Sequence, residues 1–479
     1  MGNKYLEGNY APVAKEHTIT ELAVTGSIPE YLDGRYLRNG PNPLSEVDPA
    51  TYNWFMGDGM VHGVRLRDGK AQWYRNRWVR NPKIAEALGE TPHGREHRAG
   101  MESLGANTNV ISHAGKTLAL VEGGVANYEL TDELDTVGPC DFDGTLPGGY
   151  TAHPKRDPKT GELHAVSYFF GRGNSVQYSV INTNGRARRT VDIEVTGSPM
   201  MHDFSLTENH VVFYDLPVVF DAAQGVEATV PKFLRTPAKL MVSAVIGKVR
   251  VPDPVTAMLG DSLGSNGRFP YSWNQSYPAR IGVMPREGSA ADVRWFDVEP
   301  CYVFHPMNAY DDGDKIVLDV IRHPKMFDRD HTGPNEGPPT LDRWTVDLAA
   351  GKVIEERLDD RGQEFPRVDE RLVGSRHHFG YSVGQCPSRG PALFKHDLER
   401  VTSEVRTFGK GREPGEFVFV PSSPDAGEDE GVLMGFVYDP ASQRSDLTLL
   451  DAASLELVGA IHLPDRVPEG FHGNWAPTE

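Results

Sequence analysis

Cysteine is nearly missing from this chain. Its 479 residues contain three, Cys140, Cys301 and Cys386, with no Cys-x-x-Cys pair. That count and spacing argue against a disulfide framework and against a thiolate zinc site. Positive charge is scarce as well: 49 Lys and Arg stand against 67 Asp and Glu, a net charge of −18. Without a basic stripe to displace counterions from phosphates, nucleic acid is not an expected partner. No stretch approaches the roughly 18 consecutive apolar residues of a membrane span. The opening residues, MGNKYLEGNYAPVAKEH, lack the apolar core of a secretory signal, and Leu6 stands where a myristoylation signal carries Ser or Thr. These absences lead to the expectation of a soluble, cytoplasmic protein.

What the chain does contain is turn formers between short hydrophobic runs. Glycine (50) and proline (36) are dispersed through the sequence, and 38% of residues are hydrophobic, which supplies a packed core. Met60 to Leu66 is followed by Arg-Asp-Gly-Lys and then Ala71 to Trp78; Val176 to Ile181 is followed by Asn-Thr-Asn-Gly and then Ala187 to Val195. Asn-Gly and Asp-Gly between such runs predict hairpins. Helical patterning is sparse, with one candidate at 237–249 (PAKLMVSAVIGKV), where Pro suits a first helical turn. The expectation is an all-β chain with a small helical insertion.

A weak repeat gives this reading its shape. A marked polar residue, then a turn, then a hydrophobic strand recurs from Thr108, His153, His202, His305, Glu364, Glu416 and His472. Intervals run from 45 to 59 residues, apart from one of 103 between His202 and His305. Reading that long interval as two units, one carrying the insertion, makes seven units averaging 52 residues from 108 to 472. That period is near the ~40–50 residues of a propeller blade. A seven-bladed β-propeller with a small helical cap over its top face is therefore expected. It would form a single domain over 1–479, with the cap near 220–275. A two-sheet sandwich, the alternative, needs no marked residue at one phase of each unit.

His153, His202, His305 and His472 gain weight from that shared phase. Seventeen histidines are present, and any one alone reads as an ordinary hydrogen-bonded residue. Four imidazoles converging on an axis repel one another if protonated, so they must be neutral or share a metal. Imidazole suits iron, copper, nickel and zinc. An axis plugged with polar side chains is the other reading. Glu122, Glu364 and Glu416 sit at similar places in other units. Metal-bound histidines usually donate their second ring nitrogen to such carboxylates, but three are too few for four histidines.

At this point the chain resembles the carotenoid cleavage oxygenases, a non-haem iron family. The resemblance runs nearly end to end, through Asp33-Gly-Arg-Tyr-Leu-Arg-Asn-Gly-Pro-Asn-Pro, Gly57-Asp-Gly-Met-Val-His-Gly, Asn107-Thr-Asn-Val, the four histidine contexts, Glu364-Phe-Pro-Arg and Phe471-His-Gly-Asn-Trp. It implies a seven-bladed propeller, and Fe(II) held by His153, His202, His305 and His472. Glu122, Glu364 and Glu416 would orient the last three, leaving His153 without a carboxylate. It also implies that the methyl group of Thr108 crowds one open position at the iron. The implied reaction splits a C=C bond of a carotenoid or apocarotenoid with O2 into two carbonyl products, needing no organic cofactor.

Two other activities within the resemblance remain, as does a non-catalytic propeller scaffold. Stilbene-cleaving members resemble one another in a Lys close to the first outer carboxylate. The stretch Leu118-Ala-Leu-Val-Glu-Gly-Gly-Val-Ala-Asn-Tyr has none, although Tyr128 is a candidate partner for a phenol or ring hydroxyl. Retinoid isomerohydrolysis is disfavoured by Thr108, where an aliphatic residue would be expected. The segment 231–250 mixes Leu240, Met241, Val245 and Ile246 with Lys232, Arg235, Lys239, Lys248 and Arg250. It reads either as a peripheral membrane contact that admits a lipophilic polyene or as a cap helix packed on the propeller.

Overall fold

Alternation decides where each strand lies. Ala187–Glu194 alternates half-buried and exposed positions along most of its length, whereas Leu163–Ser167 is buried throughout. Strands of the first kind form the outer edges of antiparallel sheets and those of the second lie inside. The computed structural model describes residues 2–92, 100–102, 104–221, 226, 269–387 and 389–478.

Seven sheets form a seven-bladed propeller, each running outward from its first strand. Blade 1 comprises Asn109–His113, Lys116–Leu120, Asn127–Leu130 and Thr136–Cys140; blade 2 runs from Lys155–Arg156 to Ala187–Glu194. Blade 3 joins Phe204–Leu206 and His210–Asp215 to Arg280–Pro285 and Arg294–Asp297. Blade 4 spans Tyr302–Asp312 to Lys352–Asp359, and blade 5 Gln363–Arg367 to Thr402–Thr407. Blade 6 runs from Glu413–Pro414 and Val418–Pro421 to Leu457–His462, and Ala23–Gly26 adds its outer strand. Blade 7 is built from both ends of the chain: Gly473–Pro477 pairs with Gly34–Pro41, followed by Gly59–Arg67, Lys70–Trp78 and His17–Ile19.

The predicted hairpins form. Asp68 and Gly69 both adopt positive φ (51° and 66°) between Gly59–Arg67 and Lys70–Trp78, as a tight two-residue connection requires. Blades pack through large side chains, among them Tyr36 against Phe436 (5.1 Å between centroids) and Tyr214 against Trp344 (6.1 Å). Burying a side chain of this size contributes about 1.5–3 kcal/mol.

The sevenfold count stands, but the expected allocation of units does not. The 103-residue interval between His202 and His305 holds one four-stranded blade, interrupted between Asp215 and Arg280. The interruption includes a two-stranded ribbon, Val218–Phe220 with Tyr271–Trp273. The missing unit is blade 7, which begins after His472 and is completed by strands from the start of the chain. The expected helix at 237–249 and the contact segment 231–250 lie outside the described residues. Among the described residues, no helix is long and apolar enough to cross a membrane.

Candidate metal centre

Each blade's first strand carries its leading residue toward the ring axis, so the shared phase seen in the sequence becomes spatial convergence. His472 immediately precedes the first strand of blade 7, and His153 and His202 stand two residues before the first strands of blades 2 and 3. His305 lies within Tyr302–Asp312, where the register with Lys315–His323 shifts between Val303 and Pro306. One ring nitrogen from each of the four gathers within 4.8 Å of the others, and all four residues are buried.

Three of these imidazoles are held from behind. His202 Nδ1 lies 2.7 Å from Glu122 Oε1, His305 Nδ1 2.6 Å from Glu364 Oε2, and His472 Nδ1 2.9 Å from Glu416 Oε1. His153 has no such bond. Its Nδ1 is 3.7 Å from Asp203, whose Oδ2 accepts from Lys155 Nζ at 2.8 Å. Glu364 and Glu416 come from the first strand of blade 5 and the residue pair before Val418–Pro421 in blade 6. Glu122 differs from the expected phase: it follows Lys116–Leu120, the second strand of blade 1.

The carboxylates are themselves anchored, which sequence reading did not foresee. His323 Nε2 lies 2.7 Å from Glu364 Oε1, and the Phe365 amide donates to Oε2 of the same group. Glu416 Oε2 accepts the Gly473 amide at 2.7 Å, and the Arg367 guanidinium lies 3.5 Å from Oε1. Burial pushes both acids up, but their cationic and hydrogen-bonding partners prevail. Glu364 is held well below the usual carboxylate range by His305 and His323, and Glu416 is lowered to about 2 by Arg367 and His472.

Thr108 connects ring closure to the site. Its carbonyl accepts the His472 amide at 3.0 Å. Its Oγ1 donates to Asn107 Oδ1 at 2.9 Å, while Asn107 Nδ2 donates to the carbonyls of Phe55 and Gly57. Thr108 lines the cavity that also touches His202, His305 and His472.

The donor set fits a metal ion. A carboxylate at Nδ1 takes that nitrogen's proton in hydrogen bonding and leaves Nε2 with a bare lone pair. His202 and His305 Nε2 are 3.2 Å apart, and His153 Nε2 is buried with no hydrogen-bond partner. Lone pairs crowded together in this way are stabilised by a shared cation. Burial and the other three imidazoles drive His153 well below the ordinary histidine range, so it stays neutral and able to ligate. Four neutral nitrogens suit a borderline transition metal.

Two cavities reach this cluster. One of about 710 Å³ touches His202, His305, His472 and Thr108 and is walled by Phe55, Tyr168, Phe269, Tyr271, Phe304 and other apolar side chains. The other, about 730 Å³, reaches His153, His305 and His472 and is lined by Asn109, Lys155, Asp203, Arg367 and Glu416. Tyr128, weighed in the sequence as a partner for a substrate hydroxyl, lines neither. It is 1% exposed and packed in the core, because Asn127–Leu130 lies away from the axis as the third strand of its blade. Tyr10, Tyr168 and Tyr271 are the tyrosines that line the apolar cavity among the described residues.

A model of the family described as retinal pigment epithelial membrane protein matches residues 10–477. The chain is 60% identical to the carotenoid cleavage oxygenase of Mycobacterium tuberculosis, over 99% of this chain and 98% of that one. Among solved structures, the lignostilbene dioxygenase of Pseudomonas brassicacearum superposes with a TM-score of 0.81 at 26% identity, covering 99% of this chain and 98% of the other. A mutant of the Synechocystis apocarotenoid oxygenase gives 0.78 at 26% identity, covering 98% of each chain. Propeller, histidine cluster and end-to-end likeness agree: the chain belongs to the carotenoid oxygenase family.

Proposed function

We propose that this protein is a non-haem iron dioxygenase that cleaves a C=C bond of a carotenoid or apocarotenoid with O2 to give two carbonyl products. One observation carries the reading. Three imidazoles fixed by carboxylates converge with His153 on one point, at the wall of a large aromatic cavity. The names of the relatives from Mycobacterium tuberculosis and Synechocystis point to the same substrate class.

His153, His202, His305 and His472 would hold Fe(II), which when bound supplies the one-electron chemistry that lets O2 react with an alkene. Glu122, Glu364 and Glu416 fix ring orientation and tautomer, placing the proton at Nδ1 and the ligating lone pair at Nε2. Thr108 narrows the space beside His472 with its methyl group. The aromatic walls take the polyene by apolar contact and exclude water. Alkene and O2 together contain every atom of the two carbonyl products, so no reductant enters the balance. Under the same proposal the chain is one propeller domain over 1–479 with an insertion near 220–275. The substrate enters from a lipid surface touched by 231–250, supported by the mixture of apolar and basic residues in that segment.

The overlap with a lignostilbene dioxygenase supports a second reading, cleavage of stilbenes or phenylpropenoids to aromatic aldehydes. Against it, no lysine is among the described residues lining the apolar cavity. Offering iron-loaded protein a long apocarotenal and a hydroxystilbene together, under air, decides between them. Shorter apocarotenals are expected; aromatic aldehydes alone would transfer the protein to the second reading.

A further inference from the structure

The apolar cavity has two unlike ends. Along one wall, ring contacts run from Tyr168 to Tyr271 (5.7 Å), Phe269 (5.5 Å), Phe55 (5.5 Å), Phe471 (5.5 Å), Trp54 (4.6 Å) and Tyr10 (5.3 Å). The Tyr168 end belongs to blade 2 and to the ribbon of blade 3, and its rings are packed by Phe170 and Phe220. The Tyr10 end meets Glu413 of blade 6 and Glu469, which precedes the first strand of blade 7. In a ring of seven, blades 2 and 6 are as far apart as two blades can be, so the cavity passes from one flank of the ring, by the histidines, to the other.

Glu413 and Glu469 are part of that far end. Glu469 Oε2 accepts from Asn9 Nδ2 at 3.1 Å, and Arg38 stands 3.9 Å from its other oxygen. Asn9 is 5% exposed, and its Oδ1 has no hydrogen-bond partner. Burial pushes Glu469 up to about 7, with Glu413 adding to the effect, and burial also raises Glu413. A carboxyl whose burial favours the protonated form can donate as well as accept a hydrogen bond. Asn9 also bonds Glu413, and the lining beside the pair is Tyr10, Trp54, Pro414 and Phe471, so a polar group from a ligand would add to what Asn9 and Arg38 supply.

We propose that Glu413 and Glu469 form a polar subsite for the hydroxylated end group of the polyene, while the Tyr168–Tyr271–Phe269 end takes its unsubstituted half. The inference rests on the proposed polyene-cleaving function and adds to it an orientation and a preference for hydroxylated substrates. A hydroxyl both donates and accepts, matching the carboxyl pair. A carboxylate terminus is repelled.

The test compares two apocarotenals of equal length, one with a ring hydroxyl and one without, on iron-loaded wild type, Glu413→Leu and Glu469→Gln. Wild type is expected to favour the hydroxylated substrate by about tenfold in kcat/KM, the scale of one hydrogen bond to a charged group. In Glu413→Leu that ratio should fall to within about twofold of one. Quenching of tryptophan fluorescence under anaerobic conditions should show the same loss in Kd, since Trp54 is part of the wall. A wild-type ratio near one overturns the subsite, as does an undiminished ratio in both variants. Iron-loaded protein that cleaves neither polyene but does cleave a stilbene overturns the substrate reading itself, and the subsite with it.

Discussion

His305 and His323 share one carboxylate: Glu364 receives the first at Oε2 (2.6 Å) and the second at Oε1 (2.7 Å). Both histidines sit on blade 4 and Glu364 on blade 5, so the pair clamps the acid from across a blade boundary. His323 is 2% exposed. In His323→Leu the carboxylate loses one of its two side-chain anchors and His305 loses its fixed orientation. We expect about tenfold weaker iron retention, with the blades intact, measured as iron content after dialysis against a chelator alongside circular dichroism. Unchanged iron retention would show that the Phe365 amide and His305 suffice.

Glu416 and Glu122 do the same job with different support. Glu416 binds His472, the Gly473 amide and faces Arg367, whereas the partners of Glu122 are His202 and the Tyr168 hydroxyl. Glu416→Gln should therefore cost activity about 10–100-fold, since Arg367 is left beside a neutral amide. The loss in Glu122→Gln should be smaller. Steady-state kinetics at saturating iron compares the two, and equal losses would contradict the ranking.

Each of the four histidines is expected to be indispensable for metal. Alanine at 153, 202, 305 or 472 should abolish iron retention, as read by elemental analysis of purified protein. Retention in His153→Ala alone would mean that a three-histidine set suffices and that the residue without a carboxylate is only packing.

Acid sensitivity is expected from two histidines outside the site. His62 Nδ1 lies 2.9 Å from the Tyr74 hydroxyl in blade 7, and His164 Nδ1 2.7 Å from that of Tyr178 in blade 2. Burial lowers them to about 3 and about 4, helped by Arg38 near the first and Arg286 near the second. Unfolded histidine takes its proton below about pH 6.5. Between there and the folded values the unfolded chain binds more protons, so stability drops as pH falls through that window. Tm should decline from pH 7 toward 4.5, and less steeply in His164→Gln, which keeps a polar partner for Tyr178. Parallel curves would remove His164 from the account.

How much of this was legible beforehand depends on whether a feature is carried along the chain or across it. The four histidines, Glu364 and Glu416 recur in recognisable local contexts and converge through blade phase, whereas Glu122 lies off that phase, after the second strand of blade 1. The allocation of blades was misread because closure joins Gly473–Pro477 to Gly34–Pro41, a pairing invisible to a scan for successive repeats. The pairing of His323 and Arg367 with these carboxylates escaped notice for a related reason. Their partners Glu364 and Glu416 come from neighbouring blades, and neither His323 nor Arg367 shares the phase of the axial residues. Tyr128 looked suitable because it is near Glu122 in sequence, but strand order turns it into the core.

Ring closure also bears on how the protein is made. His472 borders the strand that shuts the ring, and its amide and carbonyl bond to Thr108 and Asn39. A ribosome delivers His153, His202 and His305 long before His472, and the first-made strands wait for their last-made partner. The four-histidine cluster thus comes into being only once the chain has been made past His472 and the ring has closed, so a bound metal ion becomes a mark of ring closure.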